Sequence, residues 1–130
     1  MTPEQVREYM LSKPEAEEDF PFYPDVSVMK VKGKMFATFA EEDGLYRMNL
    51  KCDPEQALEL RDVFDSVKPG YHMNKKHWNT VYLDGELPAG ELQRQIDHSY
   101  ALVLKGMTKA QRRSLEVQYS ATELYGDSLR

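Results

Sequence analysis

The chain has 130 residues, one cysteine, 41% hydrophobic residues and a formal net charge of −5. A chain of this length is one domain that buries enough surface to need no disulfide or metal staple, and the lone Cys52, which cannot form an internal bridge, points to a reducing compartment. The acidic balance argues against a protein that coats nucleic acid non-specifically, while the lack of an apolar run of roughly 18 residues or of a signal-peptide pattern gives the expectation of a soluble, cytoplasmic protein.

Residues 2–13 predict a helix. Thr2 suits the N-cap, Pro3 the first helical position, and Gln5 completes a capping box. Val6, Tyr9 and Met10 share a face, and Pro14 stops the helix. The segment 15–25 is acidic, then aromatic (Phe20, Phe22, Tyr23), with Pro21 and Pro24. It is expected to be a loop whose aromatics pack back on the core. From Val26 the period becomes two. A strand runs to the Lys32-Gly33 turn, a second covers Met35 to Ala40, and Asp43-Gly44 is a strong hairpin signal. The third strand alternates Tyr46, Met48 and Leu50 with Arg47, Asn49 and Lys51.

Asp53-Pro54-Glu55-Gln56 repeats the first helix's opening. The expected apolar stripe is Ala57, Leu60, Val63 and Phe64. Val67 to Met73 reads as an edge strand interrupted by Pro69-Gly70, and Asn74-Lys75-Lys76-His77 as a tight turn with Asn74 as its cap. Trp78 to Leu83 is a strand. A helix opening at Leu87-Pro88 carries the stripe Leu92, Ile96, Tyr100 and Val103. Gly106 is expected to end it as a left-handed cap. Thr108 and Gln111 open a short helix carrying Leu115, and residues 120–130 are expected as a tail outside a domain spanning 1–119. The order α-β-β-β-α-β-β-α-α is an α+β domain with an antiparallel sheet packed by helices.

The stretch from Gly70 to Gly85 is unlike the rest. It holds His72, His77 and the only tryptophan, Trp78, and no acid lies between Asp65 and Asp84. Its run His72-Met73-Asn74-Lys75-Lys76-His77-Trp78-Asn79-Thr80-Val81-Tyr82-Leu83-Asp84-Gly85 resembles the MmcQ/YjbR family, small bacterial proteins that carry an H-L-N-K-x-H-W-x-T-V-x-L-D-G pattern. Met73 stands here for the usual leucine. The likeness extends over the first helix ending in Lys-Pro, the early lysine-rich hairpin and the Asp-Pro helix, up to about Tyr119. The resemblance implies a frataxin/CyaY-like α+β fold and DNA binding through a "double wing" of β-hairpins. Fold alone does not carry function.

The residues suggest a matching chemistry. Lys30, Lys32 and Lys34 flank the first hairpin turn, and Lys75 and Lys76 sit in the central turn. All five could neutralise phosphates. Asn74 and Asn79 could hydrogen-bond phosphate or base edges, and Tyr71 or Trp78 could stack on bases. His72 and His77 would orient the turn. With so few lysines on an acidic chain, such DNA binding would be weak and salt-sensitive. The blander reading is that Asn74 caps a turn, the histidines brace it and Trp78 packs inside. The alternative function is a protein-interaction or small-ligand module using the polar, aromatic His72–Trp78 region with no nucleic-acid role; it requires a pocket near Tyr71 or Trp78. His72 and His77 lack an evident third metal ligand. Cys52 lacks an oxyanion turn, and there is no phosphate-cradling glycine loop. The expectation is therefore a binding protein with no cofactor, no metal and no catalytic constellation.

Overall fold

The computed structural model describes residues 1–126. In chain order the elements are α1 (Pro3–Leu11), β1 (Glu17–Asp19), β2 (Val26–Val31), β3 (Lys34–Glu42), β4 (Leu45–Lys51), α2 (Pro54–Val63), β5 (Val67–Pro69), β6 (Trp78–Tyr82), α3 (Ala89–Lys105), α4 (Lys109–Glu116) and α5 (Ala121–Tyr125). The six strands form one antiparallel sheet in the order β1-β2-β3-β4-β6-β5, and the helices make this an α+β fold. Among the described residues no helix is long and apolar enough to cross a membrane.

Local chemistry places most of the boundaries. Thr2 Oγ1 accepts from the Gln5 backbone N–H, and the Gln5 side chain accepts from the Thr2 N–H. The same reciprocal box closes α4 through Thr108 and Gln111. Asp53 caps α2 by accepting from the Gln56 N–H. Each such cap stabilises a helix by about 1 kcal/mol. Both hairpin turns use left-handed pairs, Lys32-Gly33 (φ 51° and 77°) and Asp43-Gly44 (φ 53° and 83°). That twist matches the flanking strands.

The core lies between one sheet face and α3. Phe36 meets Tyr100 edge to face, with ring centroids 5.3 Å apart, and both are fully buried. Phe36 is the extra residue of a β-bulge, because Met29 pairs with Ala37 and Lys30 with Met35. Ser99 of α3 stitches this irregularity. Its hydroxyl donates to the Phe36 carbonyl at 2.6 Å and accepts from the Lys51 N–H at 2.8 Å. A part-buried polar pair ties α1 to α3: Asp97 accepts from the Tyr9 hydroxyl at 2.7 Å and from Lys13 Nζ at 2.9 Å.

The structure corrects several expectations. The segment read as a loop contains the edge strand β1. Phe20, Phe22 and Tyr23 do not pack on the core; they are 49%, 67% and 67% exposed, because the helices already fill that side of the sheet. Val63 is also exposed, since α2 turns only Ala57 and Leu60 fully inward. Gly106 ends α3 with a right-handed φ of −79° rather than a left-handed one. Within the stretch expected as a tail, Ala121–Tyr125 forms α5, closed by a Ser120–Glu123 capping box and burying Leu124 and Tyr125. The rest of that stretch, 127–130, lies outside the described residues. Expected strand 67–73 shortens to Val67–Pro69, an edge strand as Pro69 requires.

Candidate functional site

Helices cover one sheet face; the other carries Thr38, Asn49 and Thr80 side by side on β3, β4 and β6, as the pairings Thr38–Asn49 and Asn49–Thr80 dictate. The chain from Tyr71 to Met73 folds back over this face. Its anchor is a closed ring of hydrogen bonds. Thr80 Oγ1 accepts from the Tyr71 N–H at 2.8 Å and donates to Asn49 Oδ1, while Asn49 Nδ2 donates to the Tyr71 carbonyl at 3.2 Å. Asn49 and Thr80 are 8% and 0% exposed. Two buried polar side chains thus satisfy each other and hold both backbone groups of Tyr71, whose own side chain is 49% exposed. The Arg47 guanidinium lies over the Tyr71 ring at 5.1 Å, where the ring face attracts a cation. It also donates to Glu42 at 2.8 Å. The His72 ring packs against Tyr71 with centroids 4.0 Å apart, on a backbone with φ of 58°. Only a few per cent of non-glycine residues adopt such a φ.

Between this turn and the exposed 20–25 loop runs a groove of about 890 Å³. Thr38, Ala40, Arg47 and Asn49 line it from the strands; Tyr71 and His72 form one wall, Phe22 and Tyr23 the other. Its volume falls in the range of ligand-binding clefts.

A second clamp holds the turn from the helix side. Arg61 of α2 donates through Nε to Asn79 Oδ1 at 2.7 Å and through Nη2 to the carbonyls of Lys75 and Trp78. Asn79 Nδ2 donates to the Ala57 carbonyl. Gly70 sits where the turn closes: a β-carbon there would lie 2.8 Å from Trp78 Cβ and 2.9 Å from the Trp78 carbonyl oxygen. Only glycine fits that approach.

The residues singled out in the sequence divide. Lys30, Lys32 and Lys34 lie at the same end of the sheet as the turn bearing Lys75 and Lys76, since Trp78 pairs with Lys51 at the end of β4. Lys30 is ion-paired to Asp19 at 2.9 Å and Lys32 to Glu15 at 3.1 Å. Lys34 and Lys76 are exposed. Lys75 Nζ donates to the Gly70 carbonyl at 3.1 Å. Asn74 does cap the turn, its Oδ1 accepting from the Lys76 N–H at 2.9 Å. His77 braces it through its backbone, accepting from the Cys52 N–H at 2.8 Å. Asn79 is 1% exposed and faces the helices, its amide engaged by Arg61 and Ala57, away from any surface. Only His72 of the expected set lines the groove. Arg47, Asn49 and Thr38 were absent from that set. The signal for Arg47 and Asn49 was present in the sequence as the polar positions of an alternating strand, and Thr38 stood as a polar residue in an otherwise apolar one, but neither pattern says which face is roofed by a loop.

Titratable groups elsewhere serve the fold. Burial pushes the Cys52 thiol up to about 11, the reverse of an activated nucleophile. Asp84 is held below the usual carboxylate range by the Ser66 hydroxyl. Burial, then the nearby Arg94 charge, lowers His98, whose Nε2 accepts from the Asp53 N–H. Among the described residues no group of three or more His, Cys, Asp or Glu could hold a metal ion.

Known proteins are similar to this chain in sequence and in fold. The family model described as YjbR matches residues 11–102. The Escherichia coli O157:H7 protein YbdF is 40% identical over 106 residues, covering 82% of this chain and 87% of its own. YjbR of Escherichia coli strain K12 is 34% identical over 115 residues, 88% of this chain and 98% of YjbR. The crystal structure of the Deinococcus radiodurans protein DR2400, with the DUF419 domain, superimposes with a TM-score of 0.80 at 42% identity, covering 88% of this chain and 90% of that one.

Proposed function

This chain belongs to the YjbR family, and from that premise we propose that it is a non-enzymatic binding protein whose open-face groove receives a segment of a partner protein. The observation that carries this reading is the ring of Asn49, Thr80 and Tyr71. Buried polar side chains hold a half-exposed aromatic in one orientation on a rigid sheet. Preorganisation of this kind lowers the ordering cost of binding. Across the groove, the exposed Phe22 and Tyr23 supply the aromatic surface enriched in protein-binding sites. The test is selection of a displayed random heptapeptide library on the intact protein, with Tyr71→Ala as the counter-selection target. Groove binding predicts clones that hold the natural chain and lose at least about tenfold in affinity for Tyr71→Ala, the scale of an aromatic anchor. Clones indifferent to Tyr71→Ala would sink the reading.

A second reading keeps DNA as the ligand, held by lysines on phosphates. What favours it is that the two lysine groups share one end of the sheet. Ion pairing of Lys30 and Lys32 to Asp19 and Glu15 weighs against it, because a paired lysine must release its carboxylate before it neutralises a phosphate. Anisotropy of a labelled 20-bp duplex at low salt is the check. Binding that weakens steeply with salt and is lost in Lys75→Glu/Lys76→Glu would support it.

A further inference from the structure

The two ends of the groove differ in chemistry. Where β3 begins, its lining is Met35 and Met73. Where β3 ends it reaches Asp25, Glu41 and Glu42, with Asp43 in the adjoining turn. Pairing of Val26 with Ala40 sets Asp25 beside that end of β3. Two carboxylates, Asp25 and Glu42, share that end with one cation, Arg47, which is already paired to Glu42; the Glu41 carboxylate is engaged by its cross-strand neighbour Tyr46. At the methionine end the balance differs: Lys30 is the pairing partner of Met35 and is itself held by Asp19. From Met35 to Glu41 the strand rises roughly 20 Å at about 3.3 Å per residue, and an extended peptide laid along the groove has the same rise.

We propose that the groove's occupant is an extended partner segment carrying an apolar side chain at one end and a lysine or arginine about five or six residues away. The inference rests on the groove reading above and adds the chemistry and direction of its ligand. The apolar side chain lies against Met35 and Met73; methionine's flexible thioether adapts to varied apolar shapes. The basic side chain enters the carboxylate end, where Phe22 and Tyr23 also offer ring faces to a cation. Charge complementarity decides against an acidic segment, which would meet Asp25 and Glu42.

The heptapeptides selected on the natural chain test this directly. Expected is enrichment of Lys or Arg towards one end and of Leu, Ile, Met or Phe towards the other. Selection on Asp25→Lys/Glu42→Lys should reverse the charge preference, and a basic clone should lose about tenfold in affinity for that variant, the size of two exposed ion pairs. Asp25→Lys alone, a change in an exposed loop, guards against misfolding of the double variant and should weaken a basic clone about threefold. Groove-dependent clones with no basic bias, or with affinity unmoved by Asp25→Lys, would overturn the charge inference and leave the groove standing. Absence of any clone sensitive to Tyr71→Ala would overturn both.

Discussion

Asn49 and Thr80 are direct neighbours on β4 and β6, and between them they hold the backbone of Tyr71 to the sheet through its N–H and its carbonyl. Neither side chain has a spare exposed position, so the pair exists to seat the turn. Removing one member leaves buried polar atoms without partners. Thr80→Val should cost about 1–3 kcal/mol, seen as a lower urea midpoint, and the Tyr71 amide should exchange with solvent faster while amides of α3 do not.

Arg61 acts on the same turn from the other side. Its fork meets Asn79, Lys75 and Trp78 at once. Arg61→Lys keeps the charge but replaces a planar fork with one ammonium. Both Arg61→Lys and Arg61→Ala should therefore lower the unfolding midpoint, Ala by about 2–3 kcal/mol because Asn79 Oδ1 loses a charge-assisted bond inside the fold. Trp78, the only tryptophan, is a built-in fluorescence probe for the change.

Gly70→Ala should be more damaging than its one added carbon suggests. The new β-carbon would overlap Trp78 Cβ at 2.8 Å and Met73 Cβ at 3.0 Å. Both are fixed stem atoms rather than flexible tips, so the turn itself must shift. A loss of about 1–3 kcal/mol is expected in chemical denaturation, together with reduced binding of any groove-dependent peptide.

His98 gives a pH signature. Its Nε2 accepts from the Asp53 N–H, and its folded value lies below the ordinary 6.5, chiefly through burial. As pH falls the unfolded chain takes up the proton first, so the native state is disfavoured. This contribution to stability is complete above about 6.5 and is lost as pH drops through the lower folded value. Urea midpoints should fall between pH 7 and pH 5, and His98→Gln, which cannot be protonated, should flatten that slope.

Cys52 should be unreactive while the chain is folded. It is 5% exposed with a thiol pushed up to about 11 from 9.0, which lowers the thiolate fraction on the order of 100-fold at neutral pH. Iodoacetamide at pH 7.5 should leave the native protein unlabelled and modify it fully in urea. Rapid native labelling would contradict the burial.

Thr2 with Gln5, Asp53 with Pro54 and Asp43 with Gly44 show what the sequence by itself determined. Caps and tight turns are settled by residues within three or four positions of one another, so the order of elements from β2 to α4, the antiparallel hairpins and the apolar stripe of α3 could be read directly, whereas β1 and α5 could not. Family membership was equally legible, because the run from His72 to Gly85 is long and ordered. The face that carries the groove was not. Asn49 and Asn79 are the same residue type in similar strands, yet one looks into the groove and the other into the helix layer, because side-chain direction alternates every residue and strand pairing decides which face is roofed. Phe22 and Tyr23 looked like core for the same reason: composition marks a ring as apolar, but only the packing of α3 on the opposite face leaves those rings without a place inside. Arg47 on Tyr71, and the acidic end set against the methionine end, join residues from separate strands and loops. Their chemistry arises only once the sheet register has brought them together.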